Sequence, residues 1–269
     1  MKKIHIAILF LLVFSLACTE QIDWELDYEP SALMVVEGKV TDELKRHEVK
    51  LSWPAQGRNE EVRPVSGALV VIRDSRTVYH LTEDEDQPGT YVSDVAFAGE
   101  EQRGYQLRIR HGDMDISAVS FMPGVRPFQN MRTYVVQQNP RLYEVHVADD
   151  NASIVRMELD WSHVPGYDTL PDTENHALLY HYSLGSVDVN RIFSPQAEHV
   201  RFPPGTIVYR EKESVNRTYE EFLRGMLSET DWRGGVFDVL PGNARSNFGD
   251  EALGFFAATA VIRDTIIVD

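Results

Sequence analysis

The sequence predicts a mostly β protein: an N-terminal antiparallel β-sandwich followed by a second β-rich unit that carries one amphipathic helix. Three observations predict it. Apolar and charged residues alternate strictly through Val155-Arg156-Met157-Glu158-Leu159-Asp160-Trp161, as a strand with one buried face requires. Many other short strand-like runs are separated by turn signals, a spacing that points to antiparallel sandwiches or barrels. Only one segment carries a clean helical stripe. Hydrophobic residues make up 43% of the 269 and charged residues 25%, so the chain can bury a core and is not a disordered tail.

The chain opens with a segment that does not belong to that fold. Met1-Lys2-Lys3 is a positive start, and Ile4 to Phe14 is apolar except for His5. The run is well short of the roughly 20 residues that span a bilayer, so residues 1–17 read as a signal peptide. Ser15 and Ala17 suit ordinary signal peptidase, and Ala17-Cys18 is the core of a lipobox, with Ser15 where Leu is usual. Both routes cut the same bond. Cys18 is the chain's one cysteine, which excludes an intrachain disulfide and a cysteine-based zinc site. A free thiol on an exported protein is a reactive liability, so Cys18 is expected to be the lipidated residue that holds the protein to a membrane. Losing Lys2 and Lys3 takes the net charge from −16 to −18. A chain this acidic repels phosphate backbones, which argues against a nucleic-acid partner.

Residues 18–30 read as a lipidated acidic tether, with Glu20, Asp23, Glu25, Asp27 and Glu29 and no basic residue. The stretch also resembles the acidic export signal of surface lipoproteins in Bacteroidota. The expected location is the outer membrane, with cell-surface and periplasmic faces both open.

Strand-like runs then follow at Leu33–Val40, Val49–Trp53, Ala68–Arg73, Thr77–Leu81, Tyr105–Ile109 and Met114–Ser120. Met122-Pro123-Gly124-Val125-Arg126-Pro127 reads as a boundary, which divides the chain into 31–124 and 128–269. Beyond it come runs at Leu142–Val147, Val155–Trp161, Ala177–Leu184, Thr206–Arg210 and Leu253–Ala260. Gln87-Pro88-Gly89, His111-Gly112-Asp113, Asp149-Asp150-Asn151 and Pro203-Pro204-Gly205 are turn signals between runs. Tyr219, Phe222, Leu223, Met226 and Leu227 make one apolar stripe, which predicts a helix over 218–229. Thr218 with Glu221 fits a capping box, and Glu220 adds favourable charge to the helix start.

Val36-Glu37-Gly38-Lys39-Val40-Thr41-Asp42, then Pro64-Val65-Ser66-Gly67-Ala68, Gly89-Thr90-Tyr91 and Tyr105–Ile109 resemble the transthyretin-like or carboxypeptidase-regulatory-like sandwich. Gly67 permits the turn into the Ala68/Val70/Ile72 face. In the second half, Tyr219–Leu223, Leu240-Pro241-Gly242-Asn243, Asn247 and Ala252–Ala258 recur in order. With the lipobox and the first unit, they resemble the Bacteroidota lipoprotein family catalogued as domain of unknown function 4249. Ser246-Asn247 departs from the Gly-Asn of many members. The resemblance implies a neighbourhood: members are often encoded beside TonB-dependent outer-membrane receptors. It carries over no chemistry.

No G-x-S-x-G, H-E-x-x-H, Walker loop or dinucleotide-binding glycine fingerprint is present. His176 and His181 sit an odd number of residues apart, on opposite faces of a strand, so they are not expected to share a metal. Glu83-Asp84-Glu85-Asp86 lacks EF-hand spacing and reads as a solvated hairpin tip. Trp53 and Trp161 are expected in the core; Trp24 and Trp232 complete the set that a sugar platform could draw on. The sequons at Asn151 and Asn216 read as chance. No cofactor, metal or catalytic residue is expected. The expected function is a non-enzymatic, outer-membrane-anchored accessory to a TonB-dependent transporter, with a surface adhesin or glycan-binding module as the alternative and a hydrolase as a third class.

Overall fold

The computed structural model describes residues 33–55, 61–128, 132–146, 152–184, 199–230 and 244–269. The signal segment, Cys18, the acidic tether, Trp24, Trp232, Asn151 and the 240–243 motif lie outside them.

The alternating runs become strands where one face can be buried. They are β1 (Met34–Thr41), β2 (Glu48–Trp53), β4 (Leu69–Arg73), β5 (Val78–Glu83), β7 (Gly104–His111) and β8 (Met114–Phe121), with short β3 (Arg63–Pro64) and β6 (Thr90–Ser93) between them. β9 (Arg132–Gln138) and β10 (Arg141–His146) form a hairpin, followed by β11 (Ser153–Asp160) and a single helical turn α1 (Asp172–Asn175). Then come β12 (His176–Ser183), β13 (Ile207–Ser214), helix α2 (Arg217–Thr230), β14 (Ala252–Thr259) and β15 (Val261–Ile267). The protein is mostly β.

The first sheet has nine strands in the order β14-β1-β2-β6-β5-β4-β7-β8, with β3 paired to β2. Its inward residues, among them Val36, Val49, Leu51, Val70, Ile72, Leu107 and Ile109, are fully or almost fully buried. Tyr91 pins the Pro64–Ala68 turn, donating its hydroxyl to the Val65 carbonyl at 2.8 Å and accepting from the Ala68 N–H at 2.9 Å. The second sheet runs β12-β11-β13-β15. Val155, Met157, Leu159 and Trp161 are all buried in its core, and β10 adds Tyr143 to that core.

The Pro/Gly segment separates β8 from β9, but it does not separate the sheets. This corrects the expectation of two consecutive units. β14 lies far beyond that break, yet it pairs in parallel with β1 as the first strand of the first sheet. The physical reason lies in two glycines. A side chain on Gly38 would press on the Phe256 ring at 3.1 Å and on Val49 at 3.2 Å, so its absence makes room for fully buried Phe256. Gly254 has φ +85° and lies so close to the Val36 carbonyl that no Cβ fits. The run then passes through fully buried Ala260 into β15, which pairs with β13 of the second sheet. Ala32–Asp269 is accordingly one compact unit.

Helix α2 spans Arg217–Thr230, within a residue of expectation at each end, but its cap is different. Asn216, not Thr218, caps it: the Asn216 Oδ1 accepts the Tyr219 N–H at 2.9 Å. Glu221, the other half of the expected capping box, pairs with Arg217 instead.

Candidate functional site

Four polar side chains hold the two sheets to each other. Ser120 continues the inward row of Ile116 and Ala118 on β8; its Oγ accepts the Ala258 N–H at 3.0 Å and a donor from Asn216 at 3.1 Å. Asn216 Nδ2 also donates to the Phe121 carbonyl at 2.8 Å, so one amide caps the helix and ties it to β8. Ser214 Oγ donates to the Pro123 carbonyl at 2.8 Å and accepts the Ala260 N–H at 2.9 Å. Asp42, the last residue of the Val36–Asp42 motif, accepts the Val261 N–H at 2.8 Å where β14 gives way to β15.

The first sheet curls until β14 and β8 lie side by side. Asn247 fills their seam as a strand residue would. Its Oδ1 accepts the Phe256 N–H at 3.0 Å, and its Nδ2 donates to the carbonyls of Phe256 at 2.8 Å and Val119 at 3.3 Å. Ser246, at the position that departs from the family pattern, accepts the Phe248 N–H at 3.1 Å and so supports the turn itself.

Charged pairs reinforce the joint. Lys39 of β1 meets Glu213 of β13 at 2.6 Å. Arg263 of β15 bonds both Glu43 and Glu211, and its guanidinium beside Glu43 lowers that carboxyl to about pKa 2.

The second sheet leaves one face open. Cross-strand register places His176, Asp160, Ile207 and Ile267 in one row. The next rows are Leu178, Glu158, Tyr209 and Thr265, then Tyr180, Arg156, Glu211 and Arg263. A fourth row, Tyr182, Ile154, Glu213 and Val261, is where helix α2 packs, with Leu223, Tyr219 and Met226 over Ile154 and Tyr182. Tyr219 stacks on Phe255 at 4.9 Å, and burial pushes its phenol pKa up. The other three rows stay open: Leu178, Tyr180, Tyr209 and Ile267 are 45%, 54%, 45% and 64% exposed. On this face Arg156 pairs with Glu158 at 3.1 Å, Arg263 pairs with Glu211 at 2.6 Å, and Asp160 lies beside His176 at 3.2 Å.

Among the described residues one serine, aspartate and histidine come together, in an order unsuited to a nucleophile–base triad. Asp160 Oδ1 accepts the Ser162 hydroxyl at 2.7 Å and lies 3.2 Å from His176 Nε2, so the carboxylate stands where the imidazole would have to be. His176 Nδ1 faces Asn175 Oδ1 at 2.6 Å. The acidic turn is occupied by backbone: Glu83 accepts the N–H groups of Gly67 at 2.9 Å and Gly89 at 2.8 Å, bonds that together with Ser66 hold its carboxyl below the usual range. Both glycines carry positive φ, and Glu83 fixes both turns. No group of three metal-ligating side chains occurs among the described residues. Trp161 is buried and Trp53 half-buried against the core. No helix among the described residues is long and apolar enough to cross a membrane.

Sequence reasoning singled out Asn247 and Asp42 only as motif positions and missed Ser120, Ser214 and the bridging role of Asn216. Ser120 left one trace, a hydroxyl in an otherwise apolar inward row.

A search of curated proteins finds no match to the chain. A family model does match, over residues 19–265, and its description is "Domain of unknown function (DUF4249)". The chain belongs to that family.

Proposed function

We propose that the protein is an outer-membrane-anchored lipoprotein of the Bacteroidota that serves, without chemistry of its own, as an accessory to a TonB-dependent transporter. The observation that carries this reading is Cys18, the chain's one cysteine, placed directly after a basic start and a short apolar run. The family match opens at the next residue, as it would if the mature chain starts at Cys18. Several acyl chains on one cysteine anchor firmly, at about 0.8 kcal/mol per buried CH₂. Residues 19–30 then tether a unit whose sheets are bolted together by Asn216, Ser120, Ser214 and Asp42, which suits a rigid display platform. The order of β1 to β8 motifs favours a transthyretin-like ancestry for the first sheet.

Metabolic labelling with a fatty-acid analogue tests the anchor. The wild-type chain should be labelled and Cys18→Ser should not; equal labelling of both would overturn it. A glycan-binding module is the second reading, favoured by exposed Tyr180 and Tyr209 on one sheet face.

A further inference from the structure

We propose that the loop 42–47, which joins β1 to β2, is an acid-released strap across the joint between the two sheets, and that His47 is its catch.

The loop is held at its two ends by different sheets. At its start Asp42 accepts the Val261 N–H at 2.8 Å and Glu43 pairs with Arg263, so this end grips β15. Its other end is fixed to the segment Ser93–Phe97 that leads out of β6. Lys45 and Phe97 exchange backbone bonds at 3.0 and 3.4 Å. The His47 N–H donates to Ser93 Oγ at 2.9 Å, and the His47 carbonyl accepts the Ser93 N–H at 2.9 Å. The crown of the loop buries little: Leu44 is 77% exposed, and Val95 on the facing segment 58%. The apolar hold on the loop is therefore the His47 ring. It is 1% exposed and lies 4.4 Å from the Phe97 ring, which in turn stacks on Tyr79 at 3.7 Å.

The ring has one feature that packing does not explain. Its Nε2 lies 2.9 Å from the Phe97 carbonyl, which can only accept, so Nε2 carries the hydrogen and Nδ1 is bare. Nδ1 is buried and has no hydrogen-bond partner among the described residues. A second proton must go to Nδ1, where it makes a buried charge with a donor that faces no acceptor. Desolvation accordingly holds the ring below its ordinary pKa of 6.5. Two charges act on it: Lys45 opposes the proton, and Glu43 on the same loop favours it. The facing segment adds only Asp94, whose carboxylate is turned to the Thr82 hydroxyl at 2.7 Å. Arg46 is turned to the Asp94 carbonyl at 2.8 Å. The protonated ring is thus satisfied only by leaving its pocket for water. The neutral ring closes the loop and the protonated ring opens it, as pH falls below about 6.5.

Opening is local. β1 pairs with β14 over eight residues and with β2 over four, and all of these lie outside the loop. The strap can lift while both sheets stand, freeing the Val261 N–H and the Arg263 side chain.

Amide hydrogen exchange of the full-length chain in detergent micelles, read peptide by peptide and corrected for intrinsic exchange, tests this. Between about pH 7.5 and 5.5, protection of 42–47, 94–99 and 260–263 should fall together, by no more than about tenfold per pH unit, the limit for one proton. Peptides in β7 and β8 should hold. Glu43, held to about 2 by Arg263, stays charged throughout and does not supply the change. His47→Gln keeps an N–H for the Phe97 carbonyl but cannot titrate, so its protection should be flat across that range. Unchanged wild-type protection at 42–47 would overturn the proposal without any variant. So would a fall shared equally with β7 and β8, which is global unfolding. A fall at 42–47 that leaves 260–263 untouched would deny the strap. An equal fall in His47→Gln would place the catch elsewhere and overturn the proposal too.

Discussion

Replacing Asn247 with alanine should open the seam between β14 and β8. The amide satisfies both the N–H and the C=O of Phe256, a residue that is fully buried, and reaches the Val119 carbonyl as well. In a strand the N–H and C=O of one residue point to the same side, and β1 occupies the opposite edge of β14. Alanine therefore leaves both Phe256 groups without a partner. Each such loss costs about 1–3 kcal/mol, so the variant should lose roughly 2–6 kcal/mol. Against a total stability of about 5–15 kcal/mol, that is a large share. Thermal and urea melts of a soluble form beginning at Thr19 read it directly, with a fall in Tm of roughly 5–20 °C. Asn247→Asp should rescue little, because a carboxylate accepts the Phe256 N–H but faces two carbonyl oxygens with no hydrogen to give. Ser246→Gly next door removes one turn bond and should cost about 1 kcal/mol or less. An Asn247→Ala melt within about 1 °C of wild type would refute the reasoning, since the seam would then close without the amide.

Three further outcomes follow from the same contacts. Leu223→Ala should cost about 2–5 kcal/mol because Leu223 is buried on the inner side of α2, whereas half-buried Phe222, tilted against Phe255 with ring centres 4.9 Å apart, should cost clearly less when cut to alanine; a larger loss at 222 in parallel melts would contradict this packing. Gly254→Ala should prevent β14 from docking on β1, and a variant with near-native circular dichroism and melting would contradict the parallel pairing. Two titrations should shape the acid limb of stability. His47 is buried and neutral, its pKa lowered chiefly by desolvation, so its contribution is whole above about pH 6.5 and falls as pH drops below that value. Glu43, held to about 2 chiefly by its Arg263 hydrogen bond, contributes above about pH 4.5 and loses that between 4.5 and 2. His47→Gln should flatten the first decline and Arg263→Gln the second in pH-dependent melts; unchanged slopes would contradict both assignments.

Much of this fold is legible wherever period-two burial dominates. Val155, Met157, Leu159 and Trp161 alternate in sequence and are buried in space, as are Val70 with Ile72 and Leu107 with Ile109. β15 is harder to read because Val261-Ile262 and Ile266-Ile267 put apolar residues on both faces, Val261 in the row under α2 and Ile267 in the open rows. β9 hides for a related reason: Tyr134, Val135 and Val136 are exposed, so its pattern reports no buried side. The partnership of β1 with β14 has no local signature at all. It depends on Gly38 and Gly254 clearing space for strands more than 200 residues apart. The capping residue was displaced for a similar reason. Thr218 and Glu221 satisfy the local helix-start pattern, but Asn216 can cap the helix and bond β8 at once, and the tertiary bonds decide. The candidate platform was invisible before the register was known, because its residues come from four strands whose order, β12-β11-β13-β15, no spacing in the chain reveals.

The most direct measurement is purification of the full-length chain from detergent-solubilised membranes, with the co-purifying proteins identified and quantified. A TonB-dependent receptor should come with it in near-equal amount, and should be lost when Cys18→Ser frees the chain from the bilayer. Recovery of an acylated chain alone, with no receptor above the level of an unrelated lipoprotein purified in parallel, would contradict the accessory function.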